Sequence, residues 1–315
     1  MSQVAASTRR ILAESGTSTL RAYEQCATAI GRLDAAGSLA IASLRRLLVV
    51  RCAVRPMGAT TDGMIALLRP DGEGDRALRD YHQALEMGSA RARGGAVPTA
   101  AMLGELLAIE LPVDGQRAEL ETALVEREAP PLLRAAVAAG ACLRWDALGA
   151  LGPNMTSLAA SLAVSLVLCV GGALTDAWLT LPFTGDADLL AGPGTGDAGW
   201  DKWLDAAFHA LAREARAAER GLAVAREPME ADEFRVREAF GRAAYSALDV
   251  LGLLRSELII TVPDTARSLA MTPPTAGAAV ARLAELGIVR EVTGRARSRA
   301  FAYTAVIEAL APAAS

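Results

Sequence analysis

The sequence predicts a mainly α protein, with a large helical body over residues 1–243 and a small α+β unit over residues 244–315 laid out as a winged helix-turn-helix. Three observations predict this. Hydrophobic residues make up 52% of the chain but aromatics only 4%, and alanine is abundant, a composition suited to helices packed on helices. At 315 residues the chain is long enough for about two domains. Near the C-terminus, residues 283–303 read as a helix end, a strand, an arginine-rich turn and a second strand, and two short helical segments precede them.

The elements follow in order. Leu20, Tyr23, Ala27, Ile30 and Leu33 keep a helical period that ends at Asp34-Ala-Ala-Gly37. A helix over residues 39–54 carries Arg45, Arg46 and Arg51 and breaks at Arg55-Pro56-Met57-Gly58. Thr60 or Thr61 caps a helix that stops at Pro70, and a loop fills 71–74. Residues 77–87 form a helix and 94–98 a loop, and Thr99 caps a helix through Ala108. A turn at 112–115 leads to a helix over 117–127. Pro130-Pro131 opens an apolar helix to about Arg144, residues 149–154 turn, and 155–170 form a second apolar helix. A short segment covers 178–184 and a Gly- and Asp-rich loop 185–199. Amphipathic helices are expected over 200–226 and 231–255, the first with arginines and glutamates on its exposed side. A helix over 262–270 has Pro263 in its first turn, where a missing N–H costs little. Met271-Thr272 turns, and Thr272 N-caps the helix begun by Pro273. Strands are expected at 288–292 and 299–303.

The net charge of −4 argues against a protein basic all over. A local patch is enough for nucleic acid, and from Arg255 to Tyr303 seven arginines face four acids. Cys26, Cys52, Cys142 and Cys169 are widely spaced and read as small buried hydrophobes in a reducing compartment. The first ten residues show no signal-peptide hydrophobic region, so a cytoplasmic location is expected. The most membrane-like run, 157–174, contains Ser161, Ser165 and Gly171-Gly172 and reads as a central core helix.

Most polar motifs have plain structural readings. Gly194-Thr-Gly-Asp-Ala-Gly199 matches a dinucleotide fingerprint by letter but lacks the preceding apolar strand, so it reads as a flexible loop. His82 and His209 are the only histidines, lie on separate polar helices and read as boundary residues; no metal or cofactor is expected. Trp145, Trp178, Trp200 and Trp203 read as packing anchors. The strongest polar cluster is Arg290, Arg295, Arg297 and Arg299. The last three keep alternate spacing through a turn that begins Thr293-Gly294, which suits phosphate or minor-groove contact. On the preceding helix Val280, Leu283 and Leu286 face inward and Thr275, Gly277, Ala278, Ala281 and Arg282 lie outside; only Thr275 and Arg282 of these offer polar side chains, so base reading is modest.

With these residues laid out, the chain resembles the Fic/Doc family with an appended winged helix. Residues 27–34 resemble its first helix, Arg79-Asp-Tyr-His-Gln-Ala-Leu-Glu86 its Asn-Tyr-x-x-Ala-Leu helix, and Pro130-Pro-Leu-Leu-Arg-Ala-Ala-Val137 the helix before the catalytic loop. Gly199-Trp-Asp-Lys-Trp-Leu-Asp-Ala-Ala-Phe208 is similar to Gly-Asp-Trp-x-x-Trp-x-x-Phe-Phe. Residues 286–303 are the most specific match, and the pattern also looks like a group of rhizobial, often plasmid-borne, helix-turn-helix proteins. The resemblance implies a catalytic loop His-Pro-Phe-x-(Asp/Glu)-Gly-Asn-Gly-Arg, with a histidine base, a magnesium-holding acid and a phosphate-cradling arginine. Here that loop is Trp145-Asp-Ala-Leu-Gly-Ala-Leu-Gly-Pro-Asn-Met155. The histidine position falls on Asp146, with the acid on Ala150, or on Ala150 itself when counted back from the next helix. Gly152, Pro153 and Asn154 complete the degenerate loop; no arginine follows Arg144, and Pro153 removes an N–H donor. The family's inhibitory Ser-x-x-x-Glu-Gly corresponds to Ala53-Val-Arg-Pro-Met-Gly58, with Met57 in place of the glutamate.

The expectation is a DNA-binding transcriptional regulator built on a catalytically silent Fic-like body. Double-stranded DNA is the partner, with contacts from Thr272, Thr275, Arg282, Arg290, Arg295, Arg297 and Arg299. A homodimer is expected, and the body serves dimerisation or effector sensing. Two other readings stay open: a nucleotidyltransferase with an altered site using Asp146 as base, and a protein-interaction module that uses the wing.

Overall fold

The computed structural model describes residues 15–69, 75–110, 115–125, 128–145, 154–182, 187–194, 197–295 and 298–312. The expected loops at 71–74 and 112–114, and Asp146, Ala150, Gly152, Pro153 and Arg297, lie outside them.

The described chain is mainly helical. Helix α1 spans Thr17–Ser38, α2 Ala42–Val54, α3 Thr61–Leu68, α4 Arg76–Arg93, α5 Ala100–Leu107, α6 Gly115–Val125, α7 Pro131–Leu143, α8 Met155–Val170 and α9 Ala187–Leu190. Helix α10 runs over Asp197–Phe240, followed by a 3-10 turn at Gly241–Ala244 and α11 at Tyr245–Glu257. Strand β1 (Ile259–Thr261), α12 (Val262–Ser268), α13 (Pro273–Glu285), β2 (Arg290–Glu291), β3 (Ala300–Ala302) and α14 (Thr304–Leu310) complete the order.

The long helix and the sheet each depart from the sequence expectation. The sequence separates helices over 200–226 and 231–255, but α10 continues through Pro228 and the break comes at Gly241. Pro228 forfeits one hydrogen bond to the carbonyl four residues earlier. That carbonyl belongs to Val224, which is 49% exposed, so water can take it. The second departure is β1, a strand beyond the two expected.

Helix α8 is the central element. Residues Ser157–Leu168 are all buried, and α7, α4 and α5 pack around them. Its serines serve the irregular stretch that follows: Ser165 donates to the Leu179 carbonyl at 2.7 Å and Ser161 to the Leu181 carbonyl at 3.4 Å. Buried carbonyls outside regular structure thereby find donors. Among the described residues no helix is long and apolar enough to cross a membrane. All four tryptophans are buried. A Cβ on Gly37 would collide with the Trp178 ring, so only glycine admits that contact.

The long helix α10 is flanked by α1 on one side and by α14 on another. Helix α14 also touches α2 and α3, so the last helix of the chain lies against the helical body. The close approach needs Gly221, where a Cβ would sit 2.6 Å from the Ala309 carbonyl oxygen.

Burial raises the Cys26, Cys142 and Cys169 thiols from 9.0 to about 12. Each folded-state value lies above its unfolded value. Their contribution to stability is therefore fully present below about pH 9 and is lost as pH rises toward 12. Each thiol steepens the loss by about 1.4 kcal/mol per pH unit in that window. In urea titrations between pH 9 and 11, Cys142→Ala should show a slope shallower than the parent by about that amount; an unchanged slope would mean that this thiol ionises freely in the folded chain.

Candidate nucleic-acid interface

Helices α12 and α13 pack on each other, and α13 packs on α11. Each short helix has a side-chain cap. Thr261 accepts from the Asp264 N–H at 3.2 Å, and its hydroxyl donates to the Asp264 carboxylate at 2.6 Å. The Asp264 carboxyl is held below the usual carboxylate range, first by that hydroxyl. Thr272 accepts from the Thr275 N–H at 3.4 Å, and the two hydroxyls are 2.8 Å apart. The N-cap read from the sequence is thus present, with Thr272 and Thr275 both exposed.

One face of α13 is buried through Ala276, Ala279, Val280 and Leu283. The opposite face exposes Thr275, Ala278 and Ala281. The helix ends at Leu286-Gly287, where Gly287 takes φ 68° and the Ile288 N–H returns to the Leu283 carbonyl at 2.9 Å. Three short antiparallel strands then form a sheet in the order β1-β3-β2. Ile260 pairs with Phe301, and Arg290 with Ala302. Leu258, before β1, is a non-glycine residue at φ 65°. Its side chain is fully buried, and its carbonyl accepts from the Tyr303 N–H at 2.8 Å.

The turn between β2 and β3 is held from inside. The Glu291 carboxylate accepts from the Thr293 N–H at 2.7 Å, from the Gly294 N–H at 3.0 Å and from the Thr293 hydroxyl. That hydroxyl, the largest cause, holds the Glu291 carboxyl below its ordinary range. Gly294 takes φ 63°, which is where the sequence required glycine.

The predicted arginines do not share one environment. Arg299 is exposed, with its guanidinium 5.2 Å from the Phe301 ring centre. Arg295 is half-buried on the turn. Arg290 pairs with Glu308 of α14 at 3.1 Å. Arg282 donates to the Ala243 carbonyl at 2.9 Å and lies 5.9 Å from the Phe240 ring centre. Its guanidinium is docked on the turn that follows α10, whereas the sequence places it among the outward groups. The helical period gives direction only, and cannot show that the Ala243 carbonyl lies within reach.

Between α13 and the hairpin runs a cleft of about 490 Å³ lined by Val262, Pro263, Gly277, Ala281, Arg299 and Phe301, among others. The sequence does not single out Val262 and Pro263 as site residues. Their only signal is their place in the first turn of α12.

The degenerate loop lies between α7 and α8. Of its residues Trp145, Asn154 and Met155 are described; Trp145 is buried, and Asn154 is exposed at the start of α8 without a side-chain cap bond. Met57 ends a 3-10 turn that contacts α8, and Gly58 follows at φ 67°. His82 is mostly buried on α4, its Nε2 lying 3.7 Å from Glu86, and burial lowers its pKa. His209 is on α10, with Nδ1 2.8 Å from the Asp205 carbonyl. Among the described residues no group of three His, Cys, Asp or Glu side chains could hold a metal ion. In the glycine-rich segment, Asp197–Gly199 is the first turn of α10 rather than loop, with the helical turn α9 before it. No protein-family model matches this chain, and no curated protein matches it.

Thr272→Ala should lower the unfolding free energy by about 1 kcal/mol by removing the cap. Arg282→Ala should cost about 1–2 kcal/mol, from its hydrogen bond and its packing on Phe240. Denaturant titration of the full chain checks both, and an unchanged midpoint for Arg282→Ala would show its guanidinium to be a free surface group.

Proposed function

We propose that the chain binds double-stranded DNA through α13 and the β2–β3 hairpin, as a winged helix-turn-helix regulator. The supporting observation is the pairing of a capped helix that exposes Thr275, Ala278 and Ala281 with an adjacent hairpin that carries Arg295 and Arg299, between which Arg297 falls in the sequence. An α-helix fits the major groove, and hairpin arginines suit phosphates or the minor groove. Thr272 and Thr275, at the helix N-terminus, are placed for phosphate contact or a base edge. Alanines 278 and 281 offer only apolar contact, for which a thymine methyl is the match. Sequence preference is therefore modest and leans on DNA shape. Arg282 and Arg290 already have protein partners, so they act on the local field and on the position of α13 and the hairpin.

In this reading the helical body is Fic/Doc-like, transfers no nucleotide, and needs neither cofactor nor metal. Residues 145–156 carry neither histidine nor arginine, and general-base activation of a hydroxyl commonly contributes about 10²–10⁴-fold. The regulator works as a homodimer in the cytoplasm.

Fluorescence anisotropy with duplex DNA across a salt series tests the proposal. Affinity should fall with salt, and the Arg295/Arg297/Arg299→Ala variant should flatten the log–log slope by roughly 0.9 for each phosphate it no longer neutralises. Binding should weaken on every duplex. Equal affinity and slope in the variant would make the hairpin a solvated tip. Labelled nucleotide with magnesium should leave a protein target unmodified; robust transfer that disappears in Asp146→Ala would establish an enzyme instead.

A further inference from the structure

The open side of α10 carries segregated charge. Arg216, Arg220, Ala223, Glu227, Ala231, Phe234 and Glu238 recur every three or four residues, so they share one face, and all are exposed. The first part of this face is basic, through Arg216 and Arg220. The second part is acidic, through Glu227, Glu238 and the adjacent exposed Glu230. Among the described residues none of these five charged groups makes an ion pair or hydrogen bond within the chain. Phe234 lies in the acidic part with 68% of its surface exposed. Beside the basic part, α1 and α10 leave a groove of about 730 Å³ lined by Thr28, Ala29, Ala223, Arg216 and Arg220, with Glu24 and the Arg32–Glu219 ion pair also on its wall, so the unpaired arginines and not the whole groove supply the positive charge.

We infer that this face is the contact between two copies of the chain, with their α10 helices antiparallel about a two-fold axis level with Ala225. A parallel pairing would set arginine against arginine and glutamate against glutamate. The antiparallel pairing sets Arg220 of each copy against Glu230 of the other. It also sets Phe234 of each copy at the level of Arg216 of the other, where the α1–α10 groove is open. Knob and hole lie on the same face, so the surface is self-complementary, as a two-fold contact requires. Apolar burial comes from Phe234, Ala223 and Ala231, and the charge pairs fix the direction of the helices more than the affinity. The inference rests on the homodimer proposed above and names its surface; DNA binding is tested separately, because no residue of α13 or the hairpin enters the contact.

Sedimentation equilibrium of the full chain over the micromolar range tests it. The parent chain should be dimeric. Arg220→Glu alone and Glu230→Arg alone should each raise the dissociation constant at least about tenfold, because each places like charges opposite twice. An equimolar mixture of these two variants should regain the dimer, since both cross-pairs are then opposite in sign. Both positions are exposed, and an unchanged far-UV circular dichroism spectrum confirms intact folding. Phe234→Ala should weaken the dimer without making it salt-insensitive. A monomeric parent, single variants that stay dimeric, or a mixture that fails to pair would each overturn the inference.

Discussion

The buried carboxylate of Glu214 ties three parts of the chain to one point. It accepts from Arg51 at 2.7 Å and from Arg55 at 2.9 and 3.1 Å, and Arg51 also donates to the Leu310 carbonyl at 3.1 Å. Helix α10 supplies the acid, the end of α2 and the turn after it supply the bases, and the last residue of α14 supplies the carbonyl. The Arg51 and Glu214 side chains are only 7% and 11% exposed, so each ion has given up most of its hydration. Such a set adds little net stability compared with apolar packing, but removal of one member leaves an uncompensated buried charge, at about 3–5 kcal/mol. Its effect is therefore positional. It fixes where α14 lies on α10, and Gly221 then allows the two backbones to meet.

Further along α10 the same helix holds the sheet and α13. The Tyr303 hydroxyl donates to buried Asp232 at 2.7 Å, and Asp232 also accepts from Arg235 at 2.6 Å. Arg235 reaches the Leu286 carbonyl at 2.7 Å, where α13 ends, and Arg255 of α11 donates to the Met229 carbonyl. The residue after β3, the end of α13 and the last turn of α11 are thus all referred to one stretch of α10. In the proposed DNA-binding role, a helix held in this frame would arrive already oriented, and little ordering entropy would be lost on binding.

What the sequence makes legible is what depends on local chemistry. The cap at Thr272 needs only a hydroxyl before a proline-started helix, and the turn at Gly294 only a glycine after a strand. The apolar run of α8 needs no partner to be read as a buried helix. The outer residues Thr275, Ala278 and Ala281 follow from the helical period alone. What the sequence conceals depends on distant contacts. Strand β1 has three residues, too few for alternation to show, and exists because β3 returns beside it. Pro228 reads as a helix end, yet packing against α1 and α14 holds α10 together beyond the usual length. Arg282 reads as an outward group until the Ala243 carbonyl is found beside it.

Hydrogen exchange of the full chain, measured with and without duplex DNA, reports on α13 and the hairpin together. DNA binding should slow exchange at residues 271–285 and 291–300 and leave residues 131–143 and 155–170 unchanged. Protection confined to the helical body, or no change in α13 and the hairpin at saturating DNA, would contradict binding through them.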